Sequence, residues 1–109
     1  MKILLDHNAP QGLRHLLDDH DIQTAEYLGW ETLRNGDLIK NAILDGYEII
    51  ITCDQSIRFQ QNLIQQRITV LTITTNDWDT IQTNISLIRR AIDTAQQGED
   101  NIVQIRPQR

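Results

Sequence analysis

Two short aliphatic runs in this chain each stop at an aspartate, and they constrain the fold more than any other feature. The first is Lys2-Ile3-Leu4-Leu5-Asp6 and the second is Glu48-Ile49-Ile50-Ile51-Thr52-Cys53-Asp54. Such runs are too short for helices and show no polar alternation, which is how a strand covered on both faces reads, as in a parallel sheet. After the first run, Asn8 and Pro10 start a helix, Asn8 as a cap and Pro10 in its first turn. In open α/β sheets ligands bind beyond the carboxyl ends of the strands. Asp6 and Asp54 are both predicted to stand there.

The rest of the chain alternates in the same manner. A first helix is expected over about Ala9 to Asp19, burying Leu13, Leu16 and Leu17. A short edge strand follows at Ile22 to Ala25, then a connector holding Trp30. Asn35-Gly36-Asp37 opens a second helix that runs to about Asp45 and stops at Gly46. The third strand is Glu48–Thr52. A third helix after Asp54 carries Ile57, Phe59, Leu63 and Ile64, and Ile68–Ile73 makes the fourth strand. Trp78, Ile81, Ile85, Ile88, Ile92 and Ala95 recur at steps of three and four, one apolar stripe on a long fourth helix ended by Gly98. Ile102–Ile105 closes the sheet. This order predicts an α/β fold, a three-layer α/β/α sandwich with a mainly parallel sheet of four to five strands. One domain fills residues 1–109.

Composition narrows the function. With 10 basic against 15 acidic residues the net charge is −5, which argues against broad electrostatic capture of duplex nucleic acid. Cys53 is the only cysteine, so no internal disulfide forms, and a reducing, cytoplasmic setting is expected. No run approaches the length of a membrane span.

The candidate chemistry is an acidic pocket for magnesium or manganese, which take one or two carboxylates and complete their shells with water and phosphate oxygens. Asp6 and Asp54 are its core. The alternative is structural, with Asp54 capping the next helix and Asp6 bound to backbone amides. Asn8 faces the pocket, caps the first helix, or does both. Asp37 is a third acid, on a helix whose buried face is Leu38, Ile39, Ala42 and Ile43; it points away from that face. Ser56, Arg58 and Asn76 are candidates for substrate contact, with Gln60, Gln61, Thr72, Thr74 and Thr75 as further polar neighbours. Trp30 and Trp78 read as core or interface residues, with base stacking as the alternative. The histidines have no zinc-like spacing, and neither a nucleophile–base pair nor a glycine-rich phosphate loop is visible.

Leu5-Asp6-His7-Asn8-Ala9-Pro10, then Asn35-Gly36-Asp37-Leu38, then Ile51-Thr52-Cys53-Asp54-Gln55 resembles the short stand-alone PIN-like proteins, a group related to the VapC-type toxin ribonucleases. The resemblance covers roughly Met1 to Trp78, including Arg58-Phe59-Gln60-Gln61-Asn62-Leu63. It implies a compact PIN-like fold, a magnesium- or manganese-dependent ribonuclease site with Asp6, Asp37 and Asp54 at the acidic positions, a toxin–antitoxin setting with a cognate antitoxin as partner, and a homodimer. The chain departs from many relatives in having Asp6-His7-Asn8 instead of Asp-Glu-Asn, and Asp54-Gln55-Ser56 instead of Asp-x-Asp. Its acidic cluster is thinner, and a non-catalytic module binding RNA or a protein partner is the alternative expectation. A phosphoacceptor receiver domain would need paired acids after the first strand and a lysine near the last. Here there is one acid, and Arg106 where the lysine would be.

Overall fold

A computed structural model describes residues 1–56, 68–95 and 100–105. Five strands form one sheet: β1 (Lys2–Leu5), β2 (Asp21–Thr24), β3 (Ile49–Thr52), β4 (Thr69–Ile73) and β5 (Asp100–Val103). Every pairing is parallel and the order is β2-β1-β3-β4-β5. The helices are α1 (Leu13–Leu16), α2 (Asn35–Leu44), α3 (Trp78–Thr83) and α4 (Ile85–Thr94).

The aliphatic runs form strands because both sheet faces are covered. Side chains alternate between faces along a strand. Ile3, Leu5, Ile49, Ile51, Leu71 and Ile73 therefore pack with Leu13, Leu17, Ile81, Ile88 and Ile92 in one core. Leu4, Ile50 and Val70 point the other way and pack with Leu38, Ile39, Ala42 and Tyr47 in a second. That is the expected three-layer α/β/α arrangement; among the described residues α2 lies on one face and α1, α3 and α4 on the other. Strand β2 lies at the edge, as anticipated. The order 2-1-3-4-5 reverses direction between β1 and β3, and a crevice forms at such a switch point.

Three elements differ from expectation. The first helix shrinks to Leu13–Leu16, flanked by turns closed through bonds such as Leu13 N to Pro10 O and Arg14 N to Gln11 O. It has no side-chain cap, because its N-cap position is Gly12, which has no side chain to give; Asn8 lies four residues upstream, its amide oxygen taken by the Cys53 N–H. The long fourth helix is broken into α3 and α4 at Asn84, whose backbone sits at φ −111°, ψ 23°. Both the Asn84 amide N–H and its side-chain Nδ2 donate to Thr80 O, so the asparagine competes for the helix's own acceptor. The apolar stripe survives the break, since Ile81, Ile88 and Ile92 are buried on the same core. Strand β5 begins and ends about two residues early; Ile105, expected inside it, is held instead by Thr74, whose Oγ1 accepts from Ile105 N (2.9 Å) and donates to Ile105 O (3.1 Å).

Helix α2 matches its expected span, and Gly46, at φ +81°, ends it in the left-handed region that favours glycine. The expected helix carrying Ile57, Phe59, Leu63 and Ile64 lies outside the described residues, as do Gly98 and Arg106. Among the described residues no helix is long and apolar enough to cross a membrane.

Candidate functional site

The ends of β1 and β3 meet at the switch point. Leu5 pairs with Ile51, and the Asp6 N–H extends the ladder by one bond to Ile51 O (2.9 Å). Asp6 is therefore level with Thr52, and its side chain is only 4% exposed. A carboxylate so buried needs hydrogen-bond donors. Asp6 Oδ1 accepts from the His7 N–H (2.9 Å) and lies 3.2 Å from His7 Nδ1; Asp6 Oδ2 accepts from the Thr52 hydroxyl (2.9 Å).

Thr52 is the hub of the site. Its Oγ1 also lies 3.1 Å from Asn8 Oδ1 and accepts from the Asp54 N–H (3.0 Å). A hydroxyl has one hydrogen to give. Asn8 Oδ1 is already served by the Cys53 N–H (3.0 Å), so the Thr52 hydrogen goes to the charged carboxylate, the stronger acceptor. Asn8 thus closes the end of β3, and among the described residues its side chain caps no helix.

Asp54 is partly exposed. Its Oδ1 accepts from the Ser56 hydroxyl (2.7 Å) and the Ser56 N–H (2.9 Å), an Asx-type turn. Those two bonds, the hydroxyl first, hold its carboxyl below the usual aspartate range, with smaller help from the Asn35 amide and from His7. Asn35 Nδ2 donates to Ser56 Oγ (3.0 Å), which brings the first turn of α2 into the network. A chain of hydrogen bonds thus runs from Asn35 through Ser56, Asp54 and Thr52 to Asp6, and Asn8 adjoins it through the Cys53 N–H.

The other candidates are less central. Asp37, in the first turn of α2, is exposed, and no hydrogen bond among the described residues joins it to the network; Asn35 is the α2 residue that reaches in. Ser56 is spent on Asp54 and Asn35. Asn76 is exposed in the loop after β4. That loop touches the site through Cys53 Sγ, which donates to Thr75 O (3.2 Å). Burial, with the Asp6 charge second, pushes the Cys53 thiol up to about 11, so it is an inert donor. Thr74 and Thr75 serve β5 and the Asp77 turn instead of a ligand. Trp30 and Trp78 pack against the two cores, as expected. Arg58, Gln60 and Gln61 lie outside the described residues.

Sequence reasoning missed Thr52 and Asn35. Thr52 had a signal, as the one hydroxyl closing an otherwise aliphatic buried strand. Asn35 had none, since an asparagine opening a helix reads as a cap.

The donor set suits a hard divalent cation in kind, with two carboxylates and an amide oxygen. It is thin in number: among the described residues no three His, Cys, Asp or Glu side chains converge. Comparison with protein-family models, with curated proteins and with solved structures gave no match.

Proposed function

We propose that this chain is a divalent-metal-dependent ribonuclease of PIN-like type, of the kind that serves as the toxin of a toxin–antitoxin pair. One observation supports this above the others: Asp6 and Asp54 follow the ends of neighbouring central strands at the switch point, and Thr52 links them, donating to the Asp6 carboxylate and accepting from the Asp54 backbone N–H. Asp6 and Asp54 would hold magnesium or manganese, with Asp37 an outer acid. A cation bound there would supply charge neutralisation at a phosphodiester and a more acidic water. The chain's own part is to orient both carboxylates. Thr52 and the His7 amide do so for Asp6, and the Ser56 hydroxyl and amide do so for Asp54. Asn8, fixed by the Cys53 N–H, would turn its NH2 to water or a phosphate oxygen; no described residue accepts from it.

The strand order is shared with phosphoacceptor receivers. Those need a second acid beside the first, and His7 stands in that place.

A second reading, a non-catalytic PIN-like module that binds RNA or a protein partner, is favoured by the engaged state of Asp6, whose two oxygens already accept from His7 and Thr52. Manganese titration by calorimetry separates the two. Wild type, Asp6→Asn and Asp54→Asn are compared after circular dichroism shows them equally folded. Saturable binding lost in either variant supports the hydrolase; no binding at millimolar manganese leaves the module.

A further inference from the structure

We infer that Tyr27 is a substrate-positioning residue, a stacking platform for a base of single-stranded RNA lying over the carboxyl end of the sheet. The inference rests on the ribonuclease reading for its substrate class and extends it to a residue outside the acidic network.

Tyr27 is 76% exposed, the one largely exposed aromatic side chain among the described residues. A single exposed aromatic is ordinary; its placement is what matters. Thr24 pairs with Leu5, and the Ala25 N–H donates to Leu5 O (2.9 Å), so the chain leaves β2 beside Asp6. Strands lie about 4.8 Å apart and successive Cα atoms 3.8 Å, which puts Tyr27 within roughly 12 Å of Asp6 along the backbone. The turn that carries it is fixed. Tyr27 N–H donates to Thr24 Oγ1 (3.1 Å), Gly29 N–H to Glu26 O (3.1 Å), and Trp30 N–H to Ala25 O (2.8 Å). Gly29 takes φ +75°, and Gln11, in the loop that starts at Asp6, donates to Glu26. The ring is thus presented on a rigid turn linked to the loop that bears Asp6 and Asn8.

The charge balance gives a stacking residue a purpose. At a net charge of −5 the protein gains little from long-range phosphate attraction. Base–aromatic stacking supplies affinity without it, and it tolerates any base because every base has a π face. Among the described residues the two tryptophans are packed on the cores and Tyr47 is buried, which leaves Tyr27 to fill that role at this end of the molecule.

The test uses a fluorescein-labelled, phosphorothioate-linked oligoadenylate, chosen to resist hydrolysis, bound in manganese and followed by fluorescence anisotropy. Wild type, Tyr27→Phe and Tyr27→Ser are compared. Tyr27→Phe should bind like wild type and Tyr27→Ser about 5- to 30-fold more weakly, the lower part of the range for loss of one stacked base. An oligomer with abasic positions should bind both variants equally. Wild-type and Tyr27→Ser proteins of equal affinity, or a wild type that does not bind the oligoadenylate, would overturn the assignment. Failure of the ribonuclease reading shows separately, as absent manganese binding at Asp6 and Asp54, and oligoadenylate binding that still depends on Tyr27 would then support it on an RNA-binding module.

Discussion

At the scale of single residues, the site is defined by which acceptor takes which hydrogen. Asp54 is held ionised chiefly by Ser56, so its carboxyl titrates below the ordinary aspartate value of about 3.9. Because the folded value is the depressed one, its stabilising contribution is present above about pH 4. It is lost as pH falls through the folded value. Ser56→Ala should raise the Asp54 carboxyl toward 3.9 and shrink the acid limb of the stability curve, read by carbon-detected NMR of the side-chain carboxyl; an unmoved Asp54 would show that Ser56 does not set its charge. Asp6 and Asp54 were legible in the sequence because an aliphatic run ending at an acid carries its own meaning. Asn8 was legible only as a choice between two roles, since its partners on β3 are far away in the chain and no local pattern names them. Asn35 was hidden for the same reason, its acceptor being Ser56 across the site.

At the scale of elements, long-range packing overrode local pattern. Helix α1 is short, and its N-terminal Gly12 lies against Trp78, where an added Cβ would fall 2.5 Å from Cζ2 and Cη2 of the ring. Gly12 has φ −59°, a conformation alanine adopts freely, so conformational entropy alone would make Gly12→Ala stabilising by about 0.4–1 kcal/mol. Overpacking costs about 1–3 kcal/mol, so the clash decides the sign. Gly12→Ala should lower the urea midpoint, and a raised midpoint would mean that the Trp78 ring yields. The apolar stripe from Trp78 to Ala95 told which face is buried, because spacing records the face. It did not tell that the helix breaks, because Asn84 acts through a backbone acceptor that spacing does not register. Strand β5 was displaced for a similar reason, its end being set by Thr74 on a different strand.

At the scale of the whole molecule, the sheet is the shared wall of two cores, and strands of both faces belong to the same backbone ladder. The layers and parallel pairing were readable from the alternation of runs and helices; the strand order was not, since equally spaced elements are compatible with several orders. One sheet with two faces should unfold as one unit. Trp78 reports on one core and Trp30 on the other. Trp30→Phe and Trp78→Phe proteins followed by fluorescence should each give a transition that coincides with the circular dichroism of the same variant, and a fluorescence midpoint displaced from it would show that one layer detaches first. The contact between Gly12 and Trp78 reaches beyond stability into descent. A ring that occupies the space of an absent side chain makes two distant positions share one volume, so position 12 is not free to gain a side chain while the ring stays. In lineages where position 78 has become smaller, position 12 is released to carry a side chain. Where the tryptophan persists, glycine should persist with it, and the pair would be inherited as a single character.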